Sequence, residues 1–185
     1  LHDVTAQAHA RRSFWFSSRA RAFHLEQQVA VFDPQAGAIF VIDPHSRDRR
    51  HLADYDGEAI AAVAGGGRLV FLDADMNLFA VSLGADDDSR VTRLTTLQPG
   101  QGAQLVSPDP PGLGLSSDGD PVGERVVHEA SSNRYRRELW RYRADDGALE
   151  ITVLPDGICQ RVRVDAGFAY FWSADRKRVQ RIGLG

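Results

Sequence analysis

The sequence predicts an all-β fold of about four four-stranded antiparallel units, stacked as the blades of a β-propeller. Three observations carry that prediction. Runs of Val, Ile, Phe, Tyr and Trp are short, Gly, Pro, Asp or Asn bounds nearly every run, and one pair of strands recurs along the chain. A helix would need about ten periodic residues or more. Only Ala6 to Arg21 offers that length, and its Ser13-Phe14-Trp15-Phe16-Ser17 half alternates like a strand.

The recurring pair is a short apolar strand, a polar turn, and a second strand that ends on a charged or turn residue. It reads first as Val29-Ala30-Val31-Phe32 and Ile39-Phe40-Val41-Ile42, then as Arg68-Leu69-Val70-Phe71 and Leu78-Phe79-Ala80-Val81. The third copy is Arg125-Val126-Val127-His128 with Leu139-Trp140-Arg141-Tyr142. The fourth is Phe168-Ala169-Tyr170-Phe171-Trp172 with Val179-Gln180-Arg181-Ile182. The matching positions Ile39, Leu78, Leu139 and Val179 are 39, 61 and 40 residues apart. Two of these intervals are close to the roughly 40–45 residues of a propeller blade. The long one is explained by a proline- and glycine-rich stretch, residues 98–123, which reads as an inserted loop.

Outer strands follow at Arg49-Arg50-His51-Leu52, Val91 to Thr95 and Leu149 to Val153. Innermost strands are expected at Glu58 to Val63 and Gln160 to Val164, with a weaker one at Gln104-Leu105-Val106. The small residues of Glu58 to Val63 suit the narrow space near an axis. The whole chain, 1–185, then reads as one propeller domain with blades at about 14–53, 57–97, 104–154 and 156–185. A meander of this kind cannot bury both faces alone and must stack on neighbours. The blades are expected to be part of a larger propeller, completed by sequence outside this chain or by a second copy in a homodimeric ring. A closed four-bladed ring is the alternative.

Bulk composition narrows the function classes. A formal charge of −3 and a pI near 6.1 give no footprint for nucleic acid, which calls for a basic domain. The cations are almost all arginine and are scattered, clustering only at residues 47–50, 134–137 and 176–178. No apolar run approaches 18 residues, so no membrane span is expected. The single Cys159 excludes an intrachain disulfide and any cysteine-based zinc site. A soluble protein of the cytoplasm or periplasm is the expectation.

Certain segments resemble known propellers. Arg68 to Asp73, Asn77 to Leu83 and Arg93-Leu94-Thr95 look like a TolB-type repeat. So does Ser117-Asp118-Gly119 followed by Glu124 to Val127, Ser131 to Arg134 and Glu138 to Tyr142. The pattern is also similar to the propellers that precede the catalytic domain of prolyl-oligopeptidase-like serine peptidases. It covers about residues 27–185 and implies a fold rather than an activity. As a TolB-like module the chain would bind a protein or small-molecule ligand through rim loops, with no chemistry of its own. As a peptidase propeller it would gate a catalytic domain encoded elsewhere.

Asp156-Gly157-Ile158 and Phe168 to Ser173 resemble a stretch of gluconolactonase-like six-bladed propellers, where Asn-Gly-Ile and a late Asp supply metal ligands. Here Asp156 stands for the Asn and Ser173 for the Asp, with Asp175 two residues late. That resemblance implies a metal-dependent hydrolase with Asp156, Asp175 and Glu26 around an axial Ca²⁺ or Zn²⁺. The binding reading instead assigns no catalytic residue and no cofactor. It places contacts on Arg134, Tyr135, Arg136 and Arg137 as a basic rim, and on Asp109 and Asp118 of the inserted loop, because loops on a rigid scaffold carry recognition.

Other motifs have structural readings. Asp73-Ala74-Asp75-Met76-Asn77 opens like a calcium loop, but Leu78 and Gly84 stand where Gly and Glu are required, so it reads as a hairpin turn. Asp86-Asp87-Asp88 reads as a charged turn. Gly65-Gly66-Gly67 lacks the Lys-Ser/Thr of a phosphate loop and reads as a turn. The six histidines lack metal-ligand spacing. Gly114 to Asp118 fails as a nucleophile elbow at its last position. Trp15, Trp140, Trp172, Tyr142 and Tyr170 are assigned to packing between blades.

Overall fold

The computed structural model describes residues 16–25, 27–84, 89–106, 112–155, 163–165, 167–173 and 178–183. Every regular element among them is a strand, and the strands form four antiparallel sheets. The first sheet is β1 (Arg21–His24), β2 (Val29–Asp33), β3 (Ala38–Ile42) and β4 (Arg49–Asp54), in that order. The second repeats the meander with β5 (Ala59–Gly65), β6 (Arg68–Asp73), β7 (Asn77–Ser82) and β8 (Thr92–Thr96).

The third sheet contains β9 (Ala103–Val106), β10 (Leu113–Leu115), β11 (Pro121–Glu129), β12 (Arg134–Tyr142) and β13 (Leu149–Val153). The fourth is β14 (Arg163–Asp165), β15 (Phe168–Ser173) and β16 (Arg178–Gly183). Ile39, Leu78, Leu139 and Val179 all fall on the strand after the central hairpin turn, as their spacing predicts.

The sheets meet in chain order through their innermost strands, β1 against β5, β5 against β10, and β10 against β14. This is the propeller-like stacking the repeat requires, and glycine permits its closest approaches. A Cβ on Gly65 would stand 2.1 Å from Cδ1 of Leu115, and one on Gly114 would stand 2.6 Å from Cβ of Val164.

Three apolar layers fill the gaps between sheets. Phe32 and Phe71 meet at 4.8 Å between the first and second, with Tyr55 at 4.9 Å from Phe71. Between the second and third, Trp140 is fully enclosed with Val70, Leu72, Met76, Leu78 and Leu97. Leu139, Leu154, Ala169 and Phe171 join the third to the fourth. Trp140 and Tyr142 thus pack between sheets as expected, while Tyr170 is half-buried on the fourth. Trp15 and the Trp172 side chain lie outside the described residues. The outer face of the first sheet, Val31 and Phe40, is covered by Phe16 and Ala20, and the Arg49 guanidinium lies 3.6 Å from the Phe40 ring centroid.

One expectation needs correction. Residues 98–123 are not a single inserted loop, because β9, β10 and the start of β11 lie within them. Val106 pairs with Val126 and Leu113 with Gly123, so β9 and β10 lie along the same edge of β11, with only Glu124 and Arg125 between the two pairings on that strand.

The repeat extends to the turns. Arg47 N–H donates to Asp43 O at 2.8 Å and Gly147 N–H to Arg143 O at 2.9 Å, closing equivalent turns in the first and third sheets. Both turns place their fifth residue in the left-handed region, Arg47 at φ 60° and Gly147 at φ 72°. Only Gly147 lacks the Cβ that makes this conformation costly. Arg47→Gly is therefore expected to stabilise the protein by about 0.5–1 kcal/mol, seen as a raised denaturation midpoint. A lowered midpoint would contradict the shared turn geometry.

Candidate binding rim

The meander sorts its turns onto two rims. The first rim carries the turns β1–β2, β3–β4, β5–β6, β10–β11 and β12–β13, and the second carries β2–β3, β6–β7 and β11–β12. Two concavities open on the first rim.

One lies between the first and second sheets and has a volume of about 350 Å³. Leu25, Gln27 and Gln28 reach it from the β1–β2 turn, and Asp43 and His45 from the β3–β4 turn. The Ala64–Gly67 end of the β5–β6 hairpin and Leu83 complete the wall. Local bonding fixes each wall. Leu25 N–H donates to Gln28 O at 2.8 Å, and Leu83 N–H to Gly67 O at 2.8 Å. Asp43 Oδ1 accepts the backbone N–H groups of His45 at 2.7 Å and Ser46 at 3.2 Å, which hold its carboxyl below the usual carboxylate range.

Arg50 then clasps the two sheets, donating from Nη1 to Gly84 O at 2.9 Å and from Nη2 to Leu83 O at 3.0 Å. The glycine triplet is fully accounted for by this geometry. Gly66 and Gly67 have φ 56° and 73°, as a tight hairpin turn requires, and Gly65 admits Leu115 of the third sheet.

The second concavity, about 460 Å³, belongs to the third sheet and is strongly polar. Arg141 donates from Nε to Asp120 at 2.9 Å and from Nη2 to Asp118 at 2.9 Å. Asp120 Oδ1 accepts Ala144 N–H at 3.0 Å. Arg143 pairs with Asp145 at 2.9 Å and lowers the Asp145 carboxyl below its ordinary range. The arginines and carboxylates in this concavity largely satisfy one another.

The sequence-derived contact residues do not assemble. Asp118 sits on the first rim, whereas Arg134 to Arg137 open β12 at the second. Strand alternation also splits the four arginine-cluster residues between opposite faces of the third sheet. They do not form a basic rim, because Arg136 bonds Glu138 at 2.6 Å and also Glu129, while Arg137 bonds Glu124 at 3.1 Å. Tyr135 is 67% exposed and lies 4.8 Å from the His128 ring.

Asp109, Glu26, Asp156, Asp175, Cys159 and Asp86 to Asp88 lie outside the described residues. Among the described residues, no three His, Cys, Asp or Glu side chains come together in a way that could hold a metal ion. Asp73 instead closes the hairpin expected of it, accepting Asn77 N–H at 2.7 Å and the Asn77 amide at 2.8 Å.

Sequence reasoning missed the buried ion pair behind the cluster. Arg125 Nε donates to Glu138 Oε2 at 2.7 Å and Nη1 to Leu97 O at 2.6 Å, which ties the third sheet to the end of the second. The signal was available: a hairpin turning at Ser131-Ser132 places residue 125 opposite 138.

No protein-family model matches this sequence, and no curated protein matches it. Among solved structures the chain is similar to the computationally designed Ika4 protein, with a TM-score of 0.51 and 14% identity over 94% of this chain and 95% of that one. That likeness concerns the fold alone. Weaker likenesses are to a chain of a Saccharomyces cerevisiae complex of Dbp5 L327V with Nup159, Gle1 H337R, IP6 and ADP (TM-score 0.38, 11% identity) and to Kuenenia stuttgartiensis hydrazine synthase (0.47, 8%). This chain covers 60% and 62% of those two chains, against 86% and 85% of its own length. Neither likeness carries an argument. No helix among the described residues is long and apolar enough to cross a membrane.

Proposed function

We propose that the chain is a TolB-like binding or scaffold module that recognises a ligand or protein through its first rim. The observation that carries this reading is that two concavities, of about 350 and 460 Å³, open on that one rim, against a smaller one of about 160 Å³ between β12, β13 and β16. Turns from three successive sheets line them, and loops held by a rigid scaffold are the usual seat of recognition. The segments that resemble TolB-type repeats fall on the scaffold strands β6, β7, β11 and β12, and their ends contribute Leu83, Asp118 and Arg141 to the concavities.

A crystallographic fragment screen tests the reading. Fragments are expected to collect at Gln27, Gln28 and His45 or at Asp118, Arg141 and Arg143. Fragments confined to the second rim or to the outer strand edges would overturn it.

A further inference from the structure

The cleft between the first and second sheets has a lining that narrows what it can hold, an argument that rests on the first rim being the recognition surface. We propose that this cleft binds a small, uncharged, polyhydroxylated molecule of the sugar class. Among the described residues its polar lining is Gln27 and Gln28, two primary amides, with the Asp43 carboxylate, the His45 imidazole and the turn backbone of Gly65 to Gly67. Each amide offers two donors and one acceptor oxygen, and the carboxylate only accepts. A ligand that satisfies such a mixed set must both donate and accept at several points, which is the property of a row of hydroxyl groups.

The charged alternatives match less well. Among the described residues neither Lys nor Arg lines the cleft, so an anion would face Asp43 without a lysine or arginine beside it. Arg50, the nearby cation, is directed at the Leu83 and Gly84 carbonyls. An ammonium ligand has donors only and would leave the Gln27 and Gln28 amide donors facing it without acceptors.

Leu25 and Leu83 provide apolar wall for the C–H face of a ring, and 350 Å³ lies at the small end of ligand pockets. The Arg50 clasp fixes the distance between the walls before any ligand arrives. This combination of a fixed gap, a mixed set of donors and acceptors and a Cβ-free turn is absent from the second concavity, whose polar groups are ionic and mutually paired.

Calorimetric titration of the full chain with maltose, inorganic phosphate and putrescine tests the assignment, alongside the double variant Gln27→Met, Gln28→Met. Both positions lie in a surface turn, so the variant is expected to fold, and its unchanged denaturation midpoint is the check. Saturable binding of maltose is expected with a dissociation constant of about 1 mM or below. The double variant should weaken it about tenfold, the effect of losing two ordinary hydrogen bonds. Maltose binding that the double variant leaves intact would overturn the proposal. Binding of phosphate or putrescine that the variant abolishes would overturn the ligand class while leaving the first rim as the recognition surface. No saturable binding by any of the three would overturn the cleft as a site, and the fragment screen then decides the rim on its own.

Discussion

Arg125→Met should lower stability by about 3–5 kcal/mol, the loss expected when one partner of a buried ion pair is removed. Arg125 is 7% exposed and Glu138 1% exposed, so the carboxylate cannot recover its hydration when the guanidinium goes. Arg136 still reaches Glu138 from the hairpin side, but Glu129 also binds it. The Leu97 carbonyl loses its donor in the same step, which loosens the join between the second and third sheets. The companion variant Arg125→Met, Glu138→Leu removes both charges and is expected to regain most of the loss, since well-packed apolar replacements of buried pairs are often neutral. Denaturant midpoints of the wild type, the single variants and the double variant give the coupling directly. An Arg125→Met protein within about 0.5 kcal/mol of wild type would mean that the pair is solvated in solution.

Trp140→Ala should cost a comparable amount, about 3–5 kcal/mol, because the indole is the largest side chain fully enclosed between the second and third sheets. Against a typical total stability of about 5–15 kcal/mol, that loss would leave a marginal fold. Trp140→Phe separates the packing from the polar contribution. The indole Nε1 has no acceptor among the described residues, so phenylalanine gives up buried area but also removes an unsatisfied donor. The Phe variant is therefore expected to lose about 1 kcal/mol or less, against the large alanine effect. Equal losses in the two variants would contradict the packing role assigned to the ring.

What the sequence made legible was whatever local pattern decides. Ile39, Leu78, Leu139 and Val179 mark equivalent strands because alternation and turn residues act over a few positions. The small side chains of Ala59 to Ala62 likewise announced an innermost strand. β9 was legible as Gln104-Leu105-Val106, but β10 was not. Leu113-Gly114-Leu115 is three residues in a proline- and glycine-rich stretch, and it is a strand only because β11 lies beside it.

The arginine cluster misled for a related reason. Its charge is local, but its neutralisation comes from Glu124, Glu129 and Glu138, which only the hairpin register brings near. The first-rim cleft was least legible of all. Gln27, Asp43 and Gly66 belong to turns of two different sheets and become neighbours only once those sheets stack.

The recognition claim is tested most directly by mapping amide chemical-shift changes across the chain during a maltose titration. The account predicts that the largest changes fall on Leu25 to Gln28, Asp43 to Ser46, Gly65 to Gly67 and Leu83, all on the first rim. Changes concentrated on residues 73–77 and 130–134 of the second rim would contradict it.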